Sequence, residues 1–380
     1  MNMNLKYAFA LMLSVAVVSQ GCSGVGKQSD DSILRPLEQT VETDDLSKYV
    51  ESVEFIFLKE DSTFHLGDPS KIIRDRKGNF IILGSGDIRR FAPDGEYLGM
   101  VGRIGRGPGE YANPGDIAFS EDMKSVLVQD RSGVNVYDAE SCDFIKRVDL
   151  PLNEYDGVFP SENGGFLMLV PVPMMADEAS YKEVLYKFDS EGKGPIDSMI
   201  PAKDYTITLV SLSSQSHDGN WFLRPLNGEW VLYKIENGKP APLYDFDFGD
   251  LQVPDGYIYN AGRFDLRRFM SSKYYKGILY VQDTDDQLFF TAIGPEANAV
   301  HFVYDLDTRS GIRWTDVAGV SRILSSDDDG FYAYIEYLTS YMEKTKEELD
   351  PLSCRIVSEY ERQGIAPNDN PLLVKVKFDL

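Results

Sequence analysis

From about residue 50 onward the chain alternates short apolar runs, rich in β-branched and aromatic residues, with turns of Gly, Asp, Asn and Pro. Runs of this length and patterning are strands, and the punctuation between them marks hairpins. Six segments share the form of a turn followed by an apolar strand: GNFIILG (78–84), KSVLVQD (124–130), GGFLMLV (164–170), GNWFLRP (219–225), KGILYVQD (276–283) and DGFYAYIEY (329–337). After most of them comes a second strand ending in a turn: IRRFAPDG (88–95), VNVYDAES (134–141), VLYKFDSEG (184–192), VLYKIENG (231–238) and LFFTAIGPE (288–296). Phe91, Tyr137, Phe188 and Ile235 hold matching places, 46, 51 and 47 positions apart by subtraction. A period of about 40–50 residues marks a propeller blade, a four-stranded antiparallel sheet with strand a innermost and strand d outermost. One such sheet cannot bury both faces, whereas six stacked around an axis can. The last unit lacks a strand d, because the chain stops at VKVKFDL (374–380), while SVEFIFLKE (52–60) has no partner at the other end. The pattern predicts an all-β fold, a six-bladed β-propeller closed by the N-terminal strand 52–60 pairing near 372–379.

One segment breaks the β pattern. Residues 339–364 (TSYMEKTKEELDPLSCRIVSEYERQG) turn helical in period. Asp350 can cap, Pro351 suits the first helical position and Gly364 suits the stop. Leu352, Ile356 and Tyr360 recur every four residues as one apolar stripe. The expectation is a short helical insertion between strands b and c of the last blade, lying over or beside the pore mouth.

The N-terminus carries a different signal. Lys6 precedes an apolar run, 7–18, of the length of an export signal and short for a membrane span. Gly21-Cys22 follows, and this order resembles the lipobox of bacterial lipoproteins, in which the Cys is lipidated and becomes the new N-terminus. Ser19 and Gln20 depart from the usual lipobox residues. The division expected is a signal peptide over 1–21, a lipidated Cys22 with a flexible acidic tether over 22–45, and a propeller over 46–380. The balance of 38 Lys+Arg against 61 Asp+Glu gives −23. Removing 1–21 takes one Lys and leaves 37 − 61 = −24. Such a surface repels nucleic acid. Cys142 and Cys354 remain, and their spacing alone shows no disulfide; two separate thiols are the default.

GRIGRGPGEY (102–111) has the glycines and arginines of a phosphate cradle. A Walker loop needs GK[ST] before a helix, and a dinucleotide loop needs GxGxxG opening one. Here GPGEY leads through Pro114 and Gly115 into a strand, so the loop reads as the link from strand d of blade 1 to strand a of blade 2. Gly107, Pro108, Gly109, Glu110 and Tyr111 are its expected structural residues. The stretch 102–138 resembles the NHL-type blade, and 50–380 is similar to the six-bladed β-propeller lipoproteins (NHL-like, TolB-like) of Bacteroides-type bacteria. Asn370-Pro371-Leu372-Leu373-Val374 matches the terminal strand of that family. The resemblance implies the fold and an outer-membrane lipoprotein facing the periplasm or cell surface, with the membrane as partner through the lipid; it implies no activity.

Chemistry is sparse. His65, His217 and His301 lie far apart, with no HxH or HExxH, and no GxSxG occurs. Two acidic turns, QDTDDQ (282–287) and SSDDDG (325–330), lack calcium-loop spacing and read as solvated turns. No metal and no cofactor are expected. In a propeller the d-to-a links and b-to-c loops share one face, the top. The elaborate segments 171–183, 249–269 and 308–319 are assigned there, and long loops on a rigid scaffold tend to carry function. Arg106, Tyr257, Tyr259, Arg263, Arg313 and Trp314 are the candidate ligand residues, since arginines grip anions and aromatics pack on sugar rings. The leading reading is a ligand-binding or scaffold propeller of the envelope, its ligand a glycan or anionic small molecule. The alternatives are a carbohydrate-acting hydrolase or lyase using top-face acids and arginines, and a sensor of a peptide or envelope protein.

Overall fold

The computed structural model describes residues 30–59, 69–84, 86–130, 133–151, 155–170, 183–201, 212–224, 230–260, 263–315, 320, 322–335, 349–364 and 372–380. Six small antiparallel sheets form a ring, a six-bladed β-propeller. Blade 1 spans 71–100, blade 2 114–149, blade 3 157–201, blade 4 213–246 and blade 5 278–314. Blade 6 takes 323–327, 330–335 and 372–378 from the C-terminal end and its outer strand from the N-terminal end. That outer strand, β3 (Val50–Phe57), runs antiparallel to Leu372–Phe378, with Val53 opposite Val376 and Phe57 opposite Leu372. The closure expected from the repeat is therefore present.

The matching positions are explained by burial. Phe91, Tyr137, Phe188 and Ile235 are the last or next-to-last residues of the third strand of blades 1 to 4 and are buried. Tyr304 and Phe378 hold the same place in blades 5 and 6. In blade 5 the expected assignment slips by one strand: Ile278–Asp283 is strand a and Gln287–Ile293 is strand b. The 249–277 link before it lengthens the period, so apolar runs alone gave the wrong phase. A second correction follows, because Ser310–Trp314, expected inside a top-face link, is the outer strand of blade 5.

The N-terminal segment also differs from expectation. Within the stretch read as a tether, β1 (Ile33–Leu34) joins the outer edge of blade 4 and β2 (Thr40–Glu42) that of blade 5, both parallel. A short helix, α1 (Pro36–Gln39), turns the chain between them. Leu34 and Leu46 are buried. Asp247 N donates to Leu34 O at 2.8 Å, and Thr43 N donates to Arg313 O at 2.9 Å. A sheet edge carries a row of unpaired backbone groups, and this arm covers two of them. Its polar composition hid that role.

The link between blades 4 and 5 holds a small hairpin and α2 (Leu266–Ser271), capped by Asp265 accepting from Arg268 N. The insertion of blade 6 contains α3 (Pro351–Gln363), capped by Asp350 accepting from Leu352 N and Ser353 N and stopped by Gly364 in the left-handed region. Leu352 and Ile356 pack into the cluster of Leu46, Trp314 and Val320, so the apolar stripe is spent on blades 5 and 6. Residues 339–348 lie outside the described residues. Cys142 and Cys354 are not joined in a disulfide.

His301, in the third strand of blade 5, is packed against Phe289 and Trp314, with Nδ1 2.9 Å from Thr291 Oγ1. Burial pushes its imidazole down to about 4. In the unfolded chain it takes a proton near pH 6.5, and in the fold it does not. Its stabilising share is whole above about pH 6.5 and lost as pH falls toward 4, about 2 kcal/mol at pH 5. Urea unfolding at pH 7.5 and pH 5 should show the wild type losing about that much more stability than His301→Gln. Equal losses would contradict a buried neutral imidazole.

Candidate functional site

The six inner strands converge on the axis and bring polar side chains together there. Lys71, on strand a of blade 1, lies 2.7 Å from Asp116 Oδ1 of blade 2 and donates also to Ser213 Oγ of blade 4. Ser213 Oγ donates to Asp116 Oδ2 at 3.0 Å, and Val158 N of blade 3 donates to the same oxygen at 3.0 Å. Lys71 Nζ stands 4.7 Å from the Trp221 ring centroid, a cation–π contact. Burial pushes the ammonium's pKa down while Asp116 pulls it up, and burial prevails. Gln215 clasps the backbone of Arg74 through both amide atoms, and Gln282 bonds Leu324 O and Ser326 Oγ. Four blades thus share one ion-pair network. The cavity beside it, bordered by Lys71, Ser213, Arg224, Tyr280 and Gln282, is about 20 Å³, room for one water. The axis is a polar plug.

The glycine loop is likewise satisfied from within. The Glu110 carboxylate accepts from Arg106 N and Gly107 N, each at 2.7 Å, and from Arg103 Nε at 2.8 Å. These amides, first among them Gly107, hold its pKa below the usual range. An anion nest is present, and its anion belongs to the chain. Tyr111 is buried, and its hydroxyl accepts from Ile88 N. Gly102 has φ +66°, and a Cβ there would stand 2.6 Å from the Tyr137 hydroxyl. Gly109 has φ +75°, and Pro108 is exposed beside it.

The six candidate ligand residues are not brought together. Arg313 donates to Thr40 O at 2.7 Å and lies 3.1 Å from Glu42, so it fastens β2 to blade 5. Trp314 is buried against Phe289, His301 and Phe378. Both leave the candidate group because strand d, not a link, holds them. Arg106 is exposed in the link between blades 1 and 2, and Tyr257, set edge-on to Tyr274 at 5.0 Å, in the link between blades 4 and 5. Tyr259 and Arg263 form the link's hairpin, where only their backbone is described. The long loop at 171–182 and His65 lie outside the described residues.

A cleft lies on the opposite face, among the a–b turns of blades 1 and 2 and the c–d turn of blade 2. Its volume is about 420 Å³, within the range of ligand sites. Arg76, Lys77, Lys124, Asp122, Asp138 and Glu140 border it, over a buried Arg90–Asp75 pair of 3.1 Å. Its acids are occupied. Asp122 is held by Lys124 N and Ser120 Oγ, and Asp138 by Ser141 N and Glu140 N, which keeps both pKa values low. The cations are freer: Lys77 meets Glu140 at 2.6 Å and Lys124 meets Asp122 at 3.4 Å, both pairs exposed.

The sequence profile of a domain of unknown function, DUF4934, matches residues 35–377. The chain belongs to that family. The matched span begins inside the arm, so β2 is part of the DUF4934 unit. In fold this DUF4934 chain is similar to a protein of Bacteroides fragilis described as exported, with TM-score 0.75 at 17% identity over 92% of this chain and 99% of that one. It is also similar to a member of the DUF4221 family from Bacteroides vulgatus, with TM-score 0.51 at 11% identity over 87% and 97%. No curated protein matches it. Among the described residues no helix is long and apolar enough to cross a membrane.

Loop length along the chain points to the top face, whereas this cleft lies on the other. The usable signal for the other face was phase: residues at the same turn of successive repeats share one ring. The axial network of this DUF4934 chain is testable through Asp116, which is fully buried. Asp116→Ala should cost about 3–5 kcal/mol in urea unfolding, because it strands the Lys71 charge. Lys71→Met with Asp116→Leu should regain most of that loss. A double variant no more stable than Asp116→Ala would contradict a paired-charge plug.

Proposed function

We propose that the protein is an exported, lipid-anchored binding propeller of the cell envelope, which takes an acceptor-rich glycan or a small anion in the cleft between blades 1 and 2. The observation that carries this reading is the imbalance of hydrogen-bonding capacity there. Asp75, Asp122 and Asp138 are filled by backbone amides and neighbours. The ammonium groups of Lys77 and Lys124 keep donors to spare, and Arg76 is exposed on the rim. A site with surplus donors suits hydroxyl, carboxylate or sulfate groups.

Export and anchoring rest on Lys6, the apolar run 7–18 and Gly21-Cys22. Asp30 stands eight positions after Cys22. An extended chain covers about 3.3–3.6 Å per residue, so the docked arm would hold the body within about 30 Å of the lipid. The protein is then a short-leashed module.

The test is a glycan and metabolite array probed with the full chain, repeated with Lys77→Ala/Lys124→Ala. The expected result is a ligand whose affinity falls at least about tenfold in the variant, with melting unchanged, because exposed pairs add little stability. A ligand bound equally by both proteins would refute the cleft, and membrane association unchanged in Cys22→Ala would refute the anchor.

A further inference from the structure

The a–b turns of blades 4, 5 and 6 meet on the face that carries the a–b turns, and each supplies one metal-ligating side chain. His217, Asp285 and Asp328 are 68 and 43 positions apart by subtraction, yet their ligand atoms lie within 4.8 Å of one another. We propose that these three residues form a divalent-cation site, distinct from the cleft between blades 1 and 2.

Three features point to a cation. The first is spacing. His217 Nε2 stands 3.2 Å from Asp285 Oδ1. Two ligands each about 2.0–2.2 Å from one ion stand about 3–3.5 Å apart at tetrahedral or octahedral angles. The second is orientation. The other ring nitrogen of His217, Nδ1, lies 3.1 Å from Asp283 Oδ2. Asp283 is itself fixed by Ser216 Oγ at 2.8 Å and His217 N at 2.9 Å. A carboxylate stands behind the imidazole, as it does behind many histidine ligands, in ion-pair contact with Nδ1 but without the alignment of a hydrogen bond. The third is charge. Asp327 and Asp329, on either side of Asp328, are paired with Arg74, Lys375 and Lys377. Among the described residues Asp328 has no Lys or Arg ion pair, and Asp285 meets only His217. Two exposed carboxylates brought within 4.8 Å of each other, with no Lys or Arg partner among the described residues, repel, and a divalent ion removes that repulsion.

The turns are held for this geometry. Asp285 N donates to Asp328 O at 3.0 Å, joining blades 5 and 6 at the site, and Asp283 joins blade 5 to blade 4. One imidazole and two carboxylates suit a first-row ion such as Zn²⁺ better than Ca²⁺, which takes oxygen ligands. Three protein ligands leave open positions for water.

The test is titration of the chelator-stripped full chain with Zn²⁺, by calorimetry and by competition with a chromophoric chelator. One equivalent should bind, raising the melting temperature. His217→Ala and Asp285→Asn/Asp328→Asn should each weaken that equivalent at least about tenfold, and Asp283→Asn should weaken it about 10–100-fold with all three ligands retained. Asp285 and Asp328 are exposed, so their double variant is expected to fold and melt like the metal-free wild type. An absent equivalent, or one unchanged in that double variant, would overturn the site. Zn²⁺ binding unaffected by His217→Ala would overturn the imidazole as a ligand.

Discussion

A four-stranded sheet with two apolar faces is stable only between two others, and a ring of such sheets has no free face once it closes. Closure here rests on the pairing of β3 with Leu372–Phe378, the two ends of the propeller chain. Val53 belongs to the same buried cluster as Phe331, Val374 and Val376 of its own blade and Ile312 of blade 5, so the joint is also part of the core. In every other blade the four antiparallel strands are contiguous in sequence. The arm before β3 then runs on along the outer edges of blades 5 and 4, where β2 and β1 pair in parallel. The polar stretch at the N-terminus is thereby a second layer of closure.

Closure also dictates where chemistry can sit. Inner strands drawn toward one axis bury the polar groups they carry there, and those groups must find one another. Lys71, Asp116 and Ser213 do so across three blades, with Val158 N from a fourth. The glycine loop follows the same rule on a smaller scale, as Glu110 fills the nest that an external anion would otherwise occupy. Exposed charge is left to the faces, where turn residues such as Lys77, Lys124 and Asp285 carry it.

Much of the fold was legible because blade repeats impose a period on apolar residues. Phe91, Tyr137, Phe188 and Ile235 mark four third strands, and the cap at Asp350 with the stop at Gly364 bounds α3. The slip in blade 5 shows the limit, for a long link shifts phase without changing the appearance of a strand. The site was far less legible. Arg313 and Trp314 looked like loop residues because Gly311 interrupts their run, yet they lie in an outer strand, and a Cβ at Gly311 would stand 1.9 Å from Val303 O. His217, Asp285 and Asp328 looked unrelated because spacing along the chain does not show which turns share a ring. The Lys71–Asp116 pair carries no motif, since its partners are set by blade packing alone.

The central claim is that the two chain ends form one cooperative blade. Native-state hydrogen exchange of the amides in 50–57 and 372–378 tests it most directly. Both sets should open only with global unfolding, at the same free energy as the inner strands of blade 2. Exchange of 50–57 through a separate, low-energy opening that leaves 372–378 protected would contradict the account, because β3 would then be an appendage to a ring already stable without it.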